Sequence, residues 1–412
     1  MNIRFMRFVD YWVGVPLCFI LTVEDKLLKA IRPRIERPQP EKKILFIKLS
    51  ELGSIILSYP LLTRIRNGYP QAKLFFLTAK RNKDVFKVLG GIIKEENVVT
   101  VEDASLREFV WGVLKAIKRL RKEKVDIIFD LELFSRFSAT LSYLIKARKR
   151  IGFYRYTFEG LYRGSLFTHN LLYNPLLHIS KAYLSLAEAT HHEKKATPQI
   201  EERADSSKIS LPKFTRDENI RNAVIEKLQR LGVEGEHNLI LINPGEGALP
   251  LREWPIENFM ALSKFILEDP MNYILLVGRK DTERKAGLLC ASLNTKKCLN
   301  LIDKTTLTEL LELFNLSAAL ITNDCGLAHL ASLTTIKKFI LFGPESPQVF
   351  SPLGENNRII YSGLYCSPCL SAFNHRNSSC RDNLCLKTIQ PEEVYQLIKE
   401  SLGVSKESIS VA

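Results

Sequence analysis

The sequence predicts an α/β fold made of two doubly wound, Rossmann-like domains. Apolar strand patterns alternate with amphipathic helix patterns in two series, one on each side of a polar, non-periodic stretch at residues 191–219. Strands that are apolar along their whole length, set between such helices, indicate a parallel sheet covered on both faces. A chain of 412 residues, 46% of them hydrophobic and 25% charged, is long enough to form two globular domains.

The first series follows a proline-rich spacer at Arg32–Pro40. Its strands are expected at Ile44–Leu49, Leu74–Thr78, Asn97–Val101 and Val125–Leu131, and its helices at Ile55–Arg66, Leu106–Arg121 and Ser135–Ile145. The second series predicts strands at Leu239–Ile242, Tyr273–Val277, Leu299–Ile302, Ala319–Thr322 and Lys338–Phe342, and helices at Ile256–Leu267, Thr282–Leu293, Leu307–Phe314, Leu327–Leu333 and Glu392–Leu402. We therefore expect an N-terminal segment (1–40), a first domain (41–190), a linker (191–218), a second domain (219–390) and a C-terminal helix and tail (391–412).

The net positive charge of the chain comes from its first half. Residues 1–200 hold 35 Lys and Arg against 19 Asp and Glu, whereas residues 201–412 hold 24 against 26. This asymmetry indicates that the first half meets a polyanion, either nucleic acid or an anionic lipid surface. Because the basic helix pattern Leu106–Arg121 comes without an aromatic RNA-binding signature, the lipid surface is favoured and no nucleic-acid partner is expected.

The N-terminal segment contains an apolar run of 13 residues, Tyr11–Val23. About 20 residues are needed to cross a bilayer, and Glu24-Asp25 offers no small-residue cleavage site for a secretory signal. Aromatic and basic flanking residues favour a segment that lies in the membrane interface. The alternative is an N-terminal helix packed on the protein's own core.

Four late cysteines, Cys366, Cys369, Cys380 and Cys385, lie in a loop at residues 365–387. Their C-x2-C-x10-C-x4-C spacing is compatible with structural zinc, although the second half of the pattern is loose, and disulfides or free thiols are the alternatives. The other four cysteines have apolar or site-like neighbours that suit reduced thiols.

The clearest candidate binding segment is Thr322–Leu330, between an apolar strand pattern and a helix pattern. In an open α/β sheet, ligands bind where the carboxyl end of a strand leads into a helix, whose free N–H groups attract anions. Gly326 allows close backbone approach, and Asp324 and His329 offer polar contacts. The alternative is a simple helix cap with a turn glycine.

Two companion loops follow strands of the same domain. Asn243–Gly247 is followed by Arg252-Glu253-Trp254-Pro255, and a third strand ends at Gly278–Asp281. Small residues permit backbone approach, and Arg252 has the fork geometry that binds phosphate oxygens. Three such loops on one domain favour a nucleotide-diphosphate ligand. Neither a G-x-x-x-x-G-K-[ST] loop nor an opening G-x-G-x-x-G is present, which disfavours kinase, ATPase and NAD-dependent functions.

In the first domain, the loop Lys48–Ser54 follows the first strand. Glu51 is its only acid, and a carboxylate at this position can act as a general base. The alternative is a solvated loop glutamate. Lys48, Ser50, Gly53 and Ser54 are the remaining candidate residues of this loop.

The ordered motifs of residues 42–395 resemble glycosyltransferase family 9, the heptosyltransferases of bacterial lipopolysaccharide core assembly. The resemblance rests on Ile44–Ser54 with Tyr59–Leu62, Asp126–Leu131, Arg150–Phe153, Asn243–Gly245, Arg252–Pro255, Thr322–Leu330 and Phe342–Pro344. It implies a GT-B fold with two domains facing a cleft, an N-terminal acceptor domain, a C-terminal donor domain, and inverting transfer from a nucleotide-sugar such as ADP-heptose, with no cofactor or catalytic metal required. The implied donor-binding residues are Asn243, Gly245, Arg252, Trp254, Gly278, Asn323, Asp324, Cys325, Gly326 and His329.

The chain departs from the family pattern in the opening loop. That loop usually ends Gly-Asp, with the Asp as the proposed catalytic base, but this chain has Gly53-Ser54. We therefore expect Glu51 to be the base. The resulting hypothesis is a cytoplasmic transferase, peripherally bound to the inner face of the cytoplasmic membrane, with an anionic glycolipid acceptor. The alternative is a non-catalytic relative that binds nucleotide-sugar or glycolipid.

Overall fold

The computed structural model describes residues 3–31, 42–102, 105–154, 162–191, 209–233, 235, 237–245 and 249–403. The predicted spacer Arg32–Pro40, residues 192–208 of the predicted linker, and Glu246 and Gly247 lie outside these residues. The described chain forms two compact units. The first comprises residues up to Ser210 together with Ala372–Arg376, and the second comprises Leu211–Ser371 and the residues from Asn377 onward.

Within its described residues, the first unit has a parallel six-stranded sheet in the order β3-β2-β1-β4-β5-β6. Its strands are β1 (Lys43–Ile47), β2 (Lys73–Ala79), β3 (Val98–Val101), β4 (Ile127–Asp130), β5 (Lys149–Phe153) and β6 (His169–Leu171). Its helices are α1 (Ile3–Trp12), α2 (Gly14–Ile31), α3 (Leu52–Leu57), α4 (Tyr59–Gly68), α5 (Val85–Val88), α6 (Leu106–Glu123), α7 (Arg136–Ile145) and α8 (Ile179–Glu188). This strand order is the doubly wound order of a Rossmann fold.

The second unit repeats this topology in the order β12-β11-β10-β7-β8-β9, again with parallel pairs among the residues described. Its strands are β7 (Asn238–Asn243), β8 (Asn272–Leu276), β9 (Cys298–Asn300), β10 (Ala319–Asn323), β11 (Lys337–Phe342) and β12 (Asn357–Tyr361). Its helices are α9 (Glu218–Arg230), α10 (Ile256–Leu267), α11 (Glu283–Leu293), α12 (Leu307–Leu316), α13 (Gly326–Ala331), α14 (Pro347–Phe350), α15 (Leu384–Lys387) and α16 (Pro391–Gly403). Two such sheets confirm the predicted α/β fold class.

The predicted helix Ile55–Arg66 is in fact two helices, α3 and α4, which meet at Ser58. Pro60 lies in the first turn of α4, where its missing N–H costs nothing, but the same proline could not continue a helix from α3. The break therefore has a local cause in the sequence.

Helices α6 and α7 pack on one face of the first sheet. Their residues Ala116, Leu120 and Leu141 share a core with Leu45 and Ile128 of the central strands. Helix α6 lies in the crossover from β3 to β4, and α7 in the crossover from β4 to β5. Because both right-handed crossovers run in the same direction across the sheet, their helices lie on the same face.

The N-terminal helix α2 packs on α7 through one side. Cys18, Leu21 and Thr22 are buried, and Gly14 approaches so closely that a Cβ there would lie 2.8 Å from the Cβ of Arg136. By length and composition, the helical stretch Phe5–Ile31 is sufficient to cross a membrane, with 22% of its apolar window buried. Length therefore does not exclude a span, contrary to the expectation from the 13-residue run.

Candidate active site

The candidate residues of the second unit lie where β7 and β10 end side by side. These strands are neighbours at the centre of the sheet, with Asn243 in register with Thr322, and the strand order reverses between them. Ligands of open α/β sheets bind at this switch point, beyond the carboxyl ends of the strands. The topology thus brings Asn243, Asp324 and Cys325 to the position where a ligand is expected.

Asn243 holds the two loops together. Its amide nitrogen donates to Thr322 Oγ1 at 3.1 Å and to Cys325 Sγ at 3.2 Å, while its Oδ1 accepts from the Gly245 amide at 3.3 Å. The neighbouring Gly278 has a φ of 154°, and a Cβ there would lie 3.0 Å from Asn243 Oδ1. The small residues are therefore required by close packing of the loops themselves.

Arg252 is anchored by acidic groups. Its Nη2 lies 3.1 Å from Asp324 Oδ2 and also donates to the Asp324 carbonyl, and its Nη1 lies 4.0 Å from Glu345 Oε1. Burial raises the pKa of the Asp324 carboxyl, and the Arg252 guanidinium opposes that rise only in part. Arg252 is thus held in place before any ligand arrives, with its side chain 11% exposed.

Trp254 supports this site from the core. Its indole is buried, packs edge-on against Phe259 and donates to the Ile389 carbonyl at 3.0 Å. Its backbone amide donates to Asn323 Oδ1 at 2.9 Å. Trp254 and Asn323 thus both have contacts inside the second unit, and their roles in donor binding stay predictions. Gly326 and the buried His329 lie on α13, which Cys325 precedes.

In the first unit, the loop after β1 is built around a carboxylate from the loop after β4. Glu132 Oε2 lies 2.8 Å from Lys48 Nζ, and Glu132 Oε1 accepts from the amides of Leu49 at 2.8 Å and Ser50 at 3.3 Å. Burial alone would raise the pKa of Glu132, but Lys48 and these hydrogen bonds outweigh it and hold the pKa below its ordinary value. Lys48 and Ser50 therefore position the loop.

Glu51 lies at the tip of this loop, immediately before α3. Its backbone φ is 63°, a value that residues other than glycine rarely adopt. Its Oε2 accepts from Ser54 Oγ at 3.0 Å and lies 3.5 Å from Lys48 Nζ, and its Oε1 pairs with the Arg376 guanidinium. The side chain is 34% exposed. Glu51 is therefore an ordered, partly accessible carboxylate rather than a solvated one, and Gly53 and Ser54 are buried beside it in α3.

Residues 113–378, more than half of the chain, match glycosyltransferase family 9 (heptosyltransferase). The chain belongs to glycosyltransferase family 9. This confirms the resemblance inferred from the ordered motifs, and membership supports a transferase rather than a non-catalytic relative.

Relatives of this family 9 chain include two named proteins. The chain is 24% identical over 323 residues to lipooligosaccharide heptosyltransferase 2 of Haemophilus influenzae, and the alignment covers 77% of this chain and 88% of that protein. It is 31% identical over 134 residues to lipopolysaccharide heptosyltransferase 2 of Escherichia coli, covering 32% of this chain and only 38% of that protein. The alignment with the E. coli enzyme thus spans well under half of that enzyme's length.

Solved structures share the fold. The E. coli ADP-heptose lps heptosyltransferase II has a TM-score of 0.66 at 22% identity, covering 88% of this chain and 99% of that one. E. coli heptosyltransferase WaaC, solved with ADP, has a TM-score of 0.59 at 16% identity, covering 87% and 99%. These similarities confirm the GT-B fold.

Several site residues of this family 9 chain were not anticipated from sequence. Glu132 and Glu345 follow the motifs Asp126–Leu131 and Phe342–Pro344, so their position after a strand was a usable signal. Arg376 had no such signal. It reaches Glu51 from 325 positions along the chain, in the short segment Ala372–Arg376 that belongs to the first unit.

The late cysteines do not fit a zinc site. Among the described residues, no group of three or more His, Cys, Asp or Glu side chains is placed to hold a metal ion. Cys366 and Cys380 are exposed, Cys385 is buried, and all are thiols in the structure. Burial, followed by the nearby cysteines, raises the pKa of Cys385 to about 11.

Proposed function

We propose that this protein transfers a heptose from ADP-heptose to an anionic glycolipid of the lipopolysaccharide-core type, with inversion at the anomeric carbon. The observation that carries the proposal is the anchored Arg252 beside Asn243 and Asp324 at the switch point of a family 9 chain. The heptosyltransferase names of its relatives, and the ADP bound in the E. coli WaaC structure, support the donor class.

Arg252 is proposed to bind the donor diphosphate. As the bond from the anomeric carbon to phosphate breaks, the electron pair leaves with ADP, and negative charge builds on the departing oxygens. A preformed guanidinium, together with the backbone amides around Cys325 and Gly326, stabilises that charge without reorganisation. Asp324 fixes the orientation of Arg252 through its 3.1 Å ion pair.

Glu51 is proposed as the general base. The acceptor hydroxyl gives its proton to Glu51 as its oxygen attacks the anomeric carbon. Ser54 occupies the place where the family usually has Asp, and Ser54 Oγ donates to Glu51 Oε2 at 3.0 Å. This contact orients the carboxylate towards the position of the missing Asp. It supports a shift of the base by three residues within one loop.

The test measures ADP release from ADP-heptose with a deacylated lipid acceptor. We expect E51Q to lower kcat by about 10²- to 10⁴-fold, the usual effect of losing a general base. S54A removes only a hydrogen bond to the carboxylate and is expected to cost much less. The double variant E51Q/S54D returns an acid to the usual family position and is expected to regain activity.

Two outcomes would contradict this assignment. Small, equal effects of E51Q and S54A would remove Glu51 from the chemistry. The second outcome is a wild type that releases no ADP from ADP-heptose and yet releases the nucleotide diphosphate from another nucleotide-sugar. That result would contradict the proposed donor but not the transferase class.

The N-terminal helices are proposed to hold the protein at the inner face of the cytoplasmic membrane. Their exposed side carries large apolar residues, including Phe8, Trp12, Phe19 and Ile20. The opposite side is fixed to α7, where Asp10 accepts from the amides of Arg136 and Phe137. A helix fixed along one side and apolar on the other suits an interfacial position.

A further inference from the structure

Helix α6 carries a second exposed apolar surface. Leu106, Val110, Trp111 and Leu114 are between 48% and 66% exposed. A surface helix normally presents polar residues to water, so four large apolar side chains on the outer side of α6 require an explanation. We call these four residues, together with Phe8 and Trp12 of α1, the apolar face.

Helices α1 and α6, which carry the apolar face, both contact the first turn of α7. From α1, Asp10 Oδ1 accepts from the Phe137 amide at 2.9 Å. From α6, the Phe109 ring lies 5.3 Å from the Phe137 ring. Both helices thus contact the same residue of α7, and both carry exposed apolar side chains in the first unit.

Basic residues on α6 adjoin this surface. Arg107, Trp111, Leu114, Lys118 and Lys122 follow the i, i+4, i+7 spacing of one helix side, and all five are exposed. Trp111 and Leu114 thus lie towards the first half of α6, and the exposed lysines Lys115, Lys118 and Lys122 lie in the second half. Apolar side chains bordered by Lys, with Trp among them, match the chemistry of a bilayer interface that contains anionic lipids.

We propose that α6 is a second membrane contact, with Trp111 and its apolar neighbours in the interfacial layer and Lys115, Lys118 and Lys122 at anionic headgroups. The inference rests on the membrane association proposed above and adds a second element to it. A second contact restricts the orientation of the first unit at the membrane more than the N-terminal helices do alone. The partner is a lipid surface rather than a nucleic acid, because the surface is as apolar as it is basic.

The chain's three tryptophans allow a direct test. Trp12 and Trp111 are 64% and 66% exposed on the apolar face, whereas Trp254 is 1% exposed in the second unit. In W12F, quenching by lipids with brominated acyl chains reports on Trp111. In W111F it reports on Trp12, and W12F/W111F gives the baseline from Trp254. Vesicles of phosphatidylglycerol and phosphatidylethanolamine serve as the membrane, with phosphatidylcholine vesicles as the uncharged control.

We expect the emission of W12F to be quenched on anionic brominated vesicles and unchanged with the phosphatidylcholine vesicles. The variant K115Q/K118Q/K122Q is expected to bind the anionic vesicles about 100-fold more weakly, at about fivefold per lysine in low salt. The full-length protein is used throughout, and its circular dichroism checks that these surface variants fold.

Three results would overturn the inference. Quenching of W111F without quenching of W12F would leave the N-terminal helices as the membrane contact and remove α6. Quenching of neither would remove both contacts, while ADP release with the deacylated acceptor would still test the transferase independently. Dimers that form without vesicles and dissociate in W111E would show instead that the face joins two copies of the chain.

Discussion

Replacing Arg252 separates its structural role from its role in donor binding. In R252M, the Asp324 carboxylate loses the guanidinium at 3.1 Å while its side chain remains only 5% exposed. Breaking a buried ion pair by removing one partner costs about 3–5 kcal/mol of unfolding free energy. Loss of a charge-assisted hydrogen bond to the donor phosphate is expected to weaken ADP binding by about 10- to 150-fold, or about 1.5–3 kcal/mol.

The double variant R252M/D324N distinguishes these two effects. The D324N substitution puts a neutral amide in place of the carboxylate, so no unpaired charge is left buried, and the stability of the second unit should return to near that of the wild type. ADP affinity should stay low, because the cation that binds phosphate is still missing.

Stability of the second unit is measured by urea denaturation in the W12F/W111F background, where the fluorescence of the buried Trp254 reports on that unit alone. ADP affinity is measured by calorimetry below the unfolding range of each variant. If R252M/D324N regains both stability and ADP affinity, Arg252 serves only to pair with Asp324. If R252M keeps full ADP affinity, Arg252 is not part of the donor site.

Two further predictions concern buried charges in the first unit. R163M removes the guanidinium that lies 2.5 Å from Asp130, both side chains being fully buried, and should cost about 3–5 kcal/mol of unfolding free energy. The matched R64M breaks the more exposed pair with Glu188 and should cost less than about 1 kcal/mol; equal losses in urea denaturation would refute this contrast. The pKa of Glu132 is lower in the folded protein than the ordinary value of 4.5, so its contribution to stability is complete above that pH and is lost as the pH falls through the folded pKa. The stability difference between wild type and E132Q should therefore be largest near neutral pH and shrink below pH 4.5, and a difference that does not change with pH would contradict the role of Glu132.

The central strands could be predicted from sequence because they are buried on both faces. The predicted Ala319–Thr322 and the observed Ala319–Asn323 differ by one residue, and all five residues of the strand are buried. Strands β5, β6 and β12 were not predicted. β5 is buried at four of its five positions, but it opens with Lys149-Arg150, which interrupts the apolar pattern. β6 has only three residues, and β12 alternates half-buried and exposed positions that break the apolar run. An unbroken apolar run produces the signal, and a strand that is short, half exposed or interrupted by charged residues lacks it.

Site residues were harder to assign, because a sequence shows which polar residues follow a strand but not what they contact. The family motifs include Asn243, Asn323 and Trp254. In the structure, the side chains of these residues make hydrogen bonds that hold the loops together inside the second unit. Their partners are 69 to 135 positions away along the chain. Arg252 has the same kind of partners, but its cationic fork lies at the switch point and keeps some exposure, which makes it the stronger candidate for a donor contact.

The N-terminal segment shows why two interpretations of one apolar run need not exclude each other. An interfacial helix and a helix packed on the core were weighed as alternatives, because an apolar run is a one-dimensional pattern that does not separate the sides of a helix. In the structure, Gly14, Cys18 and Leu21 face α7, while Phe19 and Ile20, next to them in the sequence, are each 60% exposed. Both sides are apolar, so the run has no amphipathic period to read. Packing accounts for the first side only. The second side remains apolar without a protein partner among the described residues, and it is this side that the bilayer experiments address.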